Sequence, residues 1–332
     1  MPTTLSVTYV ATISDFMQFV EGRTTIHWYR GCGEVCHKLV PSLYRHPTIA
    51  DPDALLKQEI EMIKRFRQRS IPFLARPLDE DDLSVLFLMQ HFGVPTRLLD
   101  WTENPYIALY FALTSAKPTR AASPAPAGAA AAASPAGAPT TIPTAPPVPA
   151  LTPAGTAPPV VLAGAAPAAP AAALPAAAPT TPAPGATSTA YSTDAAIWAL
   201  DPASWNSKAV PFTPPIGIIS PPNDDALNGY LPEENIARRR PDPIALYGSY
   251  NSPRIVAQRG AFCLFGKNTT PMEEAYINAG YPQDCLRQII IPAGNIGPML
   301  AALTRIGITD SMVYPDLIGL AMEIKRQFEY PI

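Results

Sequence analysis

The chain has 332 residues, with 24 Lys and Arg against 27 Asp and Glu and a formal net charge of −3. That balance excludes a strongly basic surface built for non-specific nucleic-acid binding. Four cysteines in this length make no disulfide framework. No run of about 18 uninterrupted apolar residues is available for a membrane span.

Residues 121 to 193 carry no charge, and nearly every position is Ala, Pro, Thr, Gly, Ser or Val. Prolines at that density block helix and ladder hydrogen bonding. A disordered, polyproline-like insertion is therefore expected over 117–193. Without it about 260 residues remain, a size that suits one domain. Its two parts are expected at 14–116 and 194–330. Met1 to Thr12 lacks a basic region followed by a long apolar core, so no secretory leader is expected and a cytoplasmic location is the default.

In chain order, Ser14 or Asp15 caps a short helix over 16–20, stopped at Gly22. The alternation from Thr25 to Tyr29 predicts a strand, with Arg30-Gly31 at its end facing a cleft. Leu55, Leu56, Ile60, Ile63 and Phe66 share one side of an amphipathic helix over 53–69. A second helix covers 79–92, with acids at its positive end. Gly93 stops it and Pro95 forbids continuation.

Residues 96–101 are extended. Asn104 then caps a helix whose first turn holds Pro105. It runs to Ser115 and buries Ile107, Ala108, Phe111 and Ala112. Beyond the insertion, 195–200, 244–247, 261–265 and 286–292 read as strands. Residues 202–243 read as a long Pro-rich loop in which Arg238-Arg239-Arg240 is a solvated turn. Helices follow at 296–305 and 316–328. Strands and helices mix without strict βαβ alternation, so the fold class is α+β: a small, mainly antiparallel sheet flanked by helices.

Three blocks carry the chemistry. They are Trp28-Tyr29-Arg30-Gly31, the stretch from His91 to Pro105, and the stretch from Arg254 to Phe262. A linker needs only turn residues. The middle block spends its positions on Arg97, Asp100, Trp101 and Thr102, which suits a site wall. These blocks, in this order, closely resemble the FRG domain, named for its Phe-Arg-Gly, with Tyr29 here in place of the Phe. The resemblance spans 14 to 330 apart from the insertion.

Arg30 is a natural partner for a phosphate or carboxylate. Gly31 and Gly33 allow close backbone approach to a ligand. An internal pair with Asp100 explains Arg30 equally well. Arg97 and Asp100 cannot both point one way from a strand of period two. Asp100 is read as the site residue and Arg97 as structural, although Arg97 also stands among the candidate ligand contacts. His91 ends a helix beside the Pro95 turn, where it either faces the site or satisfies the core. Gln258 offers a neutral donor and acceptor that positions a hydroxyl or amide, or steadies a turn. Cys32-x3-Cys36-His37 lacks a second ligand pair, so these thiols are read as structural or incidental and no metal is expected.

The order of blocks also resembles ADP-ribosyltransferases. Those enzymes have an Arg on an early strand, a hydroxyl turn feeding a helix with an Ala-x-x-Phe-Ala pattern, and a Glu on a late loop. Here Arg30, Asp100-Trp101-Thr102 with Ala108 to Ala112, and Gln258 take those places. Asp and Trp replace small hydroxyl residues, and Gln258 stands where the catalytic Glu is expected, unless Glu103 takes that role from another position. The resemblance implies a split sheet and an NAD-dependent ADP-ribosyltransferase-like enzyme, toxin or phage-defence related, with a protein or RNA acceptor. Its catalytic set would be Arg30, Asp100, Thr102 and Gln258. Tyr29, Arg30, Gly31, His91, Arg97 and Trp101 would hold the dinucleotide. The alternative is a non-enzymatic module recognising a nucleotide, nucleic acid or peptide.

Overall fold

The computed structural model describes residues 3–23, 25, 27–74, 77–119, 190–210, 217–221, 225–232, 235–249, 252–328, 330 and 332. The expected disordered insertion lies, over 120–189, outside the described residues. Its two ends are described, and they meet: Thr119 N donates to Ala190 O at 2.7 Å, and Pro118 bridges Tyr191. The described chain therefore reaches further into the expected 117–193 span from both sides.

Among the described residues seven strands form one sheet: β1 (Ser6–Tyr9), β2 (Trp28–Cys32), β3 (Leu98–Thr102), β4 (Ala195–Leu200), β5 (Ile244–Tyr247), β6 (Gly260–Leu264) and β7 (Leu286–Ile291). Their order is β1-β7-β4-β2-β3-β6-β5. Among the described residues β1 and β7 pair in parallel and the other strand pairs are antiparallel, with one isolated parallel bridge between Ile219 and Leu246 of β5. The fold is thus the mixed α and β class expected, with a mainly antiparallel sheet. Every residue of β2 pairs with β4, and every residue of β3 pairs with β6. Between β2 and β3 only Tyr29 and Thr102 are in register. The sheet is split there into two halves.

Among the described residues the α-helices are α1 (Ile13–Glu21), α2 (Pro52–Ser70), α3 (Asp82–His91), α4 (Pro105–Thr114), α5 (Pro202–Ala209), α6 (Pro253–Gln258), α7 (Met272–Asn278), α8 (Ala293–Arg305), α9 (Asp310–Val313) and α10 (Leu317–Gln327). On one face, α1, α4 and α8 cover Tyr29, Ile197, Ala199 and Ile289. On that same face, α2 and α3 cover Leu98, Leu246, Phe262 and Leu264. Side chains alternate along each strand, so the opposite face holds Trp28, Trp101, Trp198 and Cys263, packed on Trp205 of α5 and Tyr276 of α7.

Several expectations need correction. The sheet begins at Ser6, ahead of the expected boundary at 14. The first helix starts earlier, because Thr12 and Asp15 form a reciprocal capping box. Arg30 sits in the middle of β2 and not at a strand end. The 202–243 segment is not all loop, since Asp201 caps α5 through Ser204 N at 3.0 Å. Arg239 is no solvated turn residue: it is 5% exposed, and its guanidinium lies 3.9 Å from Glu59.

The C-terminal helices are pinned to α4 through Asp310, which is 1% exposed. Arg326 donates twice to it, at 2.8 and 3.0 Å, and Tyr110 donates at 2.5 Å. Burial alone would push this carboxyl up, but the bonds from Arg326 and Tyr110 outweigh it and hold it below the ordinary 3.8. A carboxyl depressed in the folded state contributes stability that is present above its unfolded value and lost as pH falls through the lower folded one. Urea midpoints of the wild type and Asp310→Asn should therefore differ at pH 7 and converge below pH 3.8. A difference that stays constant down to pH 2 would remove this account.

Candidate functional site

Where β2 and β3 diverge, a cavity of about 270 Å³ opens, bordered also by α3, α4 and α6. Tyr29, Arg30 and Gly31 of β2 border it, as does the 100–102 stretch of β3, in which Asp100 and Thr102 point away from the Trp101 ring. Phe87, Gln90 and His91 enter from α3, Phe111 from α4, and Arg254, Ile255 and Gln258 from α6. All three chemical blocks of the sequence thus converge on one cleft.

Arg30 is 24% exposed and its Nη1 donates to the Asp100 carbonyl at 2.6 Å. The same nitrogen lies 4.0 Å from Asp100 Oδ2, a loose ion pair. The internal-pair reading is therefore partly realised, although the Asp100 side chain remains 55% exposed. Gln90 Nε2 donates to Asp100 Oδ2 at 2.7 Å, and Gln90 Oε1 accepts from the buried Thr96 hydroxyl at 2.6 Å. This chain fixes the orientation of the Gln90 amide. Turned round, it would set an acceptor against the carboxylate.

Thr102 Oγ1 donates to Gln258 O at 2.5 Å and accepts from Asn104 N at 3.0 Å. Its hydroxyl works first as a strut that joins the middle block to the third. Gln258 ends α6, just before Arg259 in the left-handed region at φ 47°. Its Nε2 donates to Val313 O at 3.1 Å, which leaves the carbonyl oxygen as its free acceptor. Gln258 thus belongs to a helix end.

Three candidates play other parts than expected. Arg97 does not border the cavity. It is fully buried, with Nε donating to Glu59 Oε2 at 2.7 Å and Nη1 to Phe265 O at 3.1 Å. Trp101 is 3% exposed, and its ring is committed to the core on the far side of the sheet. Gly31 makes room for a helix rather than a ligand: a Cβ there would lie 2.0 Å from Ala108 O of α4. Gly33 meets Ser115 O in the same way, at 2.1 Å.

His91 does face the cavity. Burial, then Arg254, hold its imidazolium down, so the neutral ring prevails at neutral pH. Burial pushes the Tyr29 phenol up to about 12, so it acts as a neutral hydroxyl. Arg254 was not singled out from sequence. It borders the cavity and lies 4.4 Å from the centre of the Tyr314 ring, a cation–π contact that holds the guanidinium in place. The charged groups at the cleft are then Arg30 and Arg254 against Asp100. Gln90 was missed as well, because it reads only as one residue of an apolar helix. The cysteines at 32, 36, 263 and 285 are free thiols. Among the described residues no group of three or more His, Cys, Asp or Glu is gathered to hold a metal, and no helix is long and apolar enough to cross a membrane.

Residues 25–121 match the family model of the FRG domain. That segment runs from β2 through α4 and covers the first two blocks. The third block lies outside the match, and the fold brings it to the same cavity. No curated protein and no solved structure matches the chain.

Proposed function

For this chain, which carries an FRG domain over residues 25–121, we propose that the cleft binds NAD and transfers its ADP-ribosyl group to a macromolecular acceptor. The observation that carries this reading is the cavity at the single-pair joint of β2 and β3, which Arg30, Arg254 and the Asp100 carboxylate all border. Two guanidiniums suit a diphosphate, because each offers a planar fork of donors to anionic oxygens. Phe87, Phe111 and Phe262 supply apolar ring surface beside them. A volume of about 270 Å³ holds one nucleoside end of a dinucleotide rather than all of it.

In ADP-ribosyl transfer the bond between ribose and nicotinamide breaks, and nicotinamide leaves with the bonding pair. The acceptor forms the new bond at that carbon and gives up a proton. Asp100 is the carboxylate at the cavity, so it is the group placed to offset positive charge developing at the ribose and to receive that proton. Gln90 holds the carboxylate in position. Gln258 presents a carbonyl oxygen that orients the acceptor without serving as a strong base.

Purified protein with labelled NAD and a cell extract, split into protein and RNA fractions, tests the reading. Loss of label transfer and of free nicotinamide by roughly 100-fold or more is expected for Arg30→Ala and Asp100→Asn. Expression should also harm its host in a way that Asp100→Asn relieves, as a toxin or phage-defence role requires. Binding of NAD without consumption would select a second reading, a non-enzymatic nucleotide-binding module. That reading is favoured by the neutral amide at Gln258. No binding at all would end both.

A further inference from the structure

A second concavity, independent of the cleft and of the reading given to it, is larger than the cleft at about 510 Å³. It lies between residues 36–55 and the 269–271 turn. Its floor is apolar, made by Val40, Ile49 and Leu55. Its rim carries Lys38, Arg45, His37 and His46, and among the described residues no carboxylate borders it.

These cations are not equally free. Lys38 is committed to Glu274 at 2.9 Å and Glu273 at 3.7 Å. His37 is shared with Glu34 at 3.7 Å. Arg45 makes no hydrogen bond or ion pair among the described residues. In His46, Nδ1 accepts from Ile49 N at 3.0 Å and from Thr48 N at 3.2 Å. A nitrogen that accepts twice carries no proton, so Nε2 bears it and is a donor. The groove therefore offers a free guanidinium and a preset N–H donor over an apolar floor.

We propose that this groove binds an organic phosphomonoester, with Arg45 and His46 on the phosphate and the apolar body seated on Val40, Ile49 and Leu55. Arginine matches phosphate oxygens with two parallel donors. The apolar floor gives the esterified compound an advantage that inorganic phosphate lacks.

The four histidines of the chain make the test local. His91 borders the cleft, His27 lies in a separate polar pocket, and His37 and His46 border the groove. Full-length protein is titrated with phenyl phosphate, inorganic phosphate, benzoate or benzyl alcohol while the imidazole C2–H resonances are followed by NMR, with His46→Gln assigning its signal. Phenyl phosphate should shift the His46 signal saturably, bind at least several-fold tighter than inorganic phosphate, and leave His91 in place. Arg45→Ala should weaken that binding at least about tenfold, the loss of one charge-assisted contact. Arg45 is exposed, and an unchanged His91 signal verifies that the variant is folded.

The proposal is overturned if phenyl phosphate shifts only His91. It is equally overturned if all four signals drift together without saturation, or if benzoate binds as tightly as the phosphate ester. NAD turnover plays no part in this readout, so failure of the cleft reading and failure of this one are separate results.

Discussion

Glu59→Ala is expected to destabilise the fold by about 3–5 kcal/mol, the cost of leaving a buried charge without its partner. Glu59 and Arg97 are both fully buried. Glu59 Oε1 accepts from Arg97 N at 3.2 Å and Oε2 from Arg97 Nε at 2.7 Å, with Arg239 Nη1 at 3.9 Å. Without the carboxylate, the Arg97 guanidinium stays in the core with the Phe265 and Tyr230 carbonyls as its remaining acceptors among the described residues. This cluster ties α2 to the start of β3, to the end of β6 and to the 230–239 segment, so its loss reaches the cleft through β3. Urea and thermal unfolding measure it, and a fall in midpoint on the order of 10 °C is expected for a domain of this size. Glu61→Ala on the same helix should leave the midpoint in place, because its pair with Lys64 is 63% and 66% exposed and screened by water. Equal effects from the two substitutions would contradict the assignment.

Gly31→Ala should do more damage than an ordinary overpacked core position, for which about 1–3 kcal/mol is usual. The added Cβ would lie 2.0 Å from Ala108 O and 2.4 Å from Ala112 N. Both are helix backbone atoms, so no rotamer change relieves the clash, and α4 must move off the sheet. Phe111 of α4 borders the cleft, so the cavity changes with it. Soluble yield, unfolding midpoint and ligand binding should all fall together. Gly294→Ala in α8 is the control: nothing lies within 4 Å of its Cβ, and it should be neutral or slightly stabilising. A Gly31→Ala protein as stable as the wild type would mean that α4 is not seated on β2 as described.

Local rules in the sequence account for much of the fold. Asn104-Pro105 is a cap followed by a first-turn proline, and α4 begins there, with Tyr106 N bonded to Asn104 Oδ1 at 3.0 Å. The same signal stands at Asp201-Pro202 and Ser252-Pro253, where α5 and α6 begin. These helices are short and set among further prolines, and their apolar periodicity is too brief to register. Strand β1 escapes for another reason. Its apolar Val7 and Tyr9 are 45% and 67% exposed, so its pattern declares no buried face, and only pairing with β7 defines it. Glu59 was legible in principle. It falls between Leu56 and Ile63 on the buried side of α2, where a charge demands a buried partner.

By itself the sequence determined the class of fold, the uncharged insertion, the three chemical blocks, and the placement of Arg30, Asp100, Thr102 and Gln258 among them. Those properties follow from composition, period and turn chemistry, which act over a few residues. Tertiary structure alone decided which side chains of the blocks turn toward the cavity and which into the core. Arg97 and Trp101 are neighbours of Asp100, yet one is spent on Glu59 and the other on the far core. Arg254 and Gln90, unremarkable in sequence, reach the cavity. Side chains alternate across a strand and a helix shows one face to its neighbour, so the same motif supplies both wall and core. Which residue does which depends on partners up to 168 positions away, as in the bond from Arg97 to Phe265.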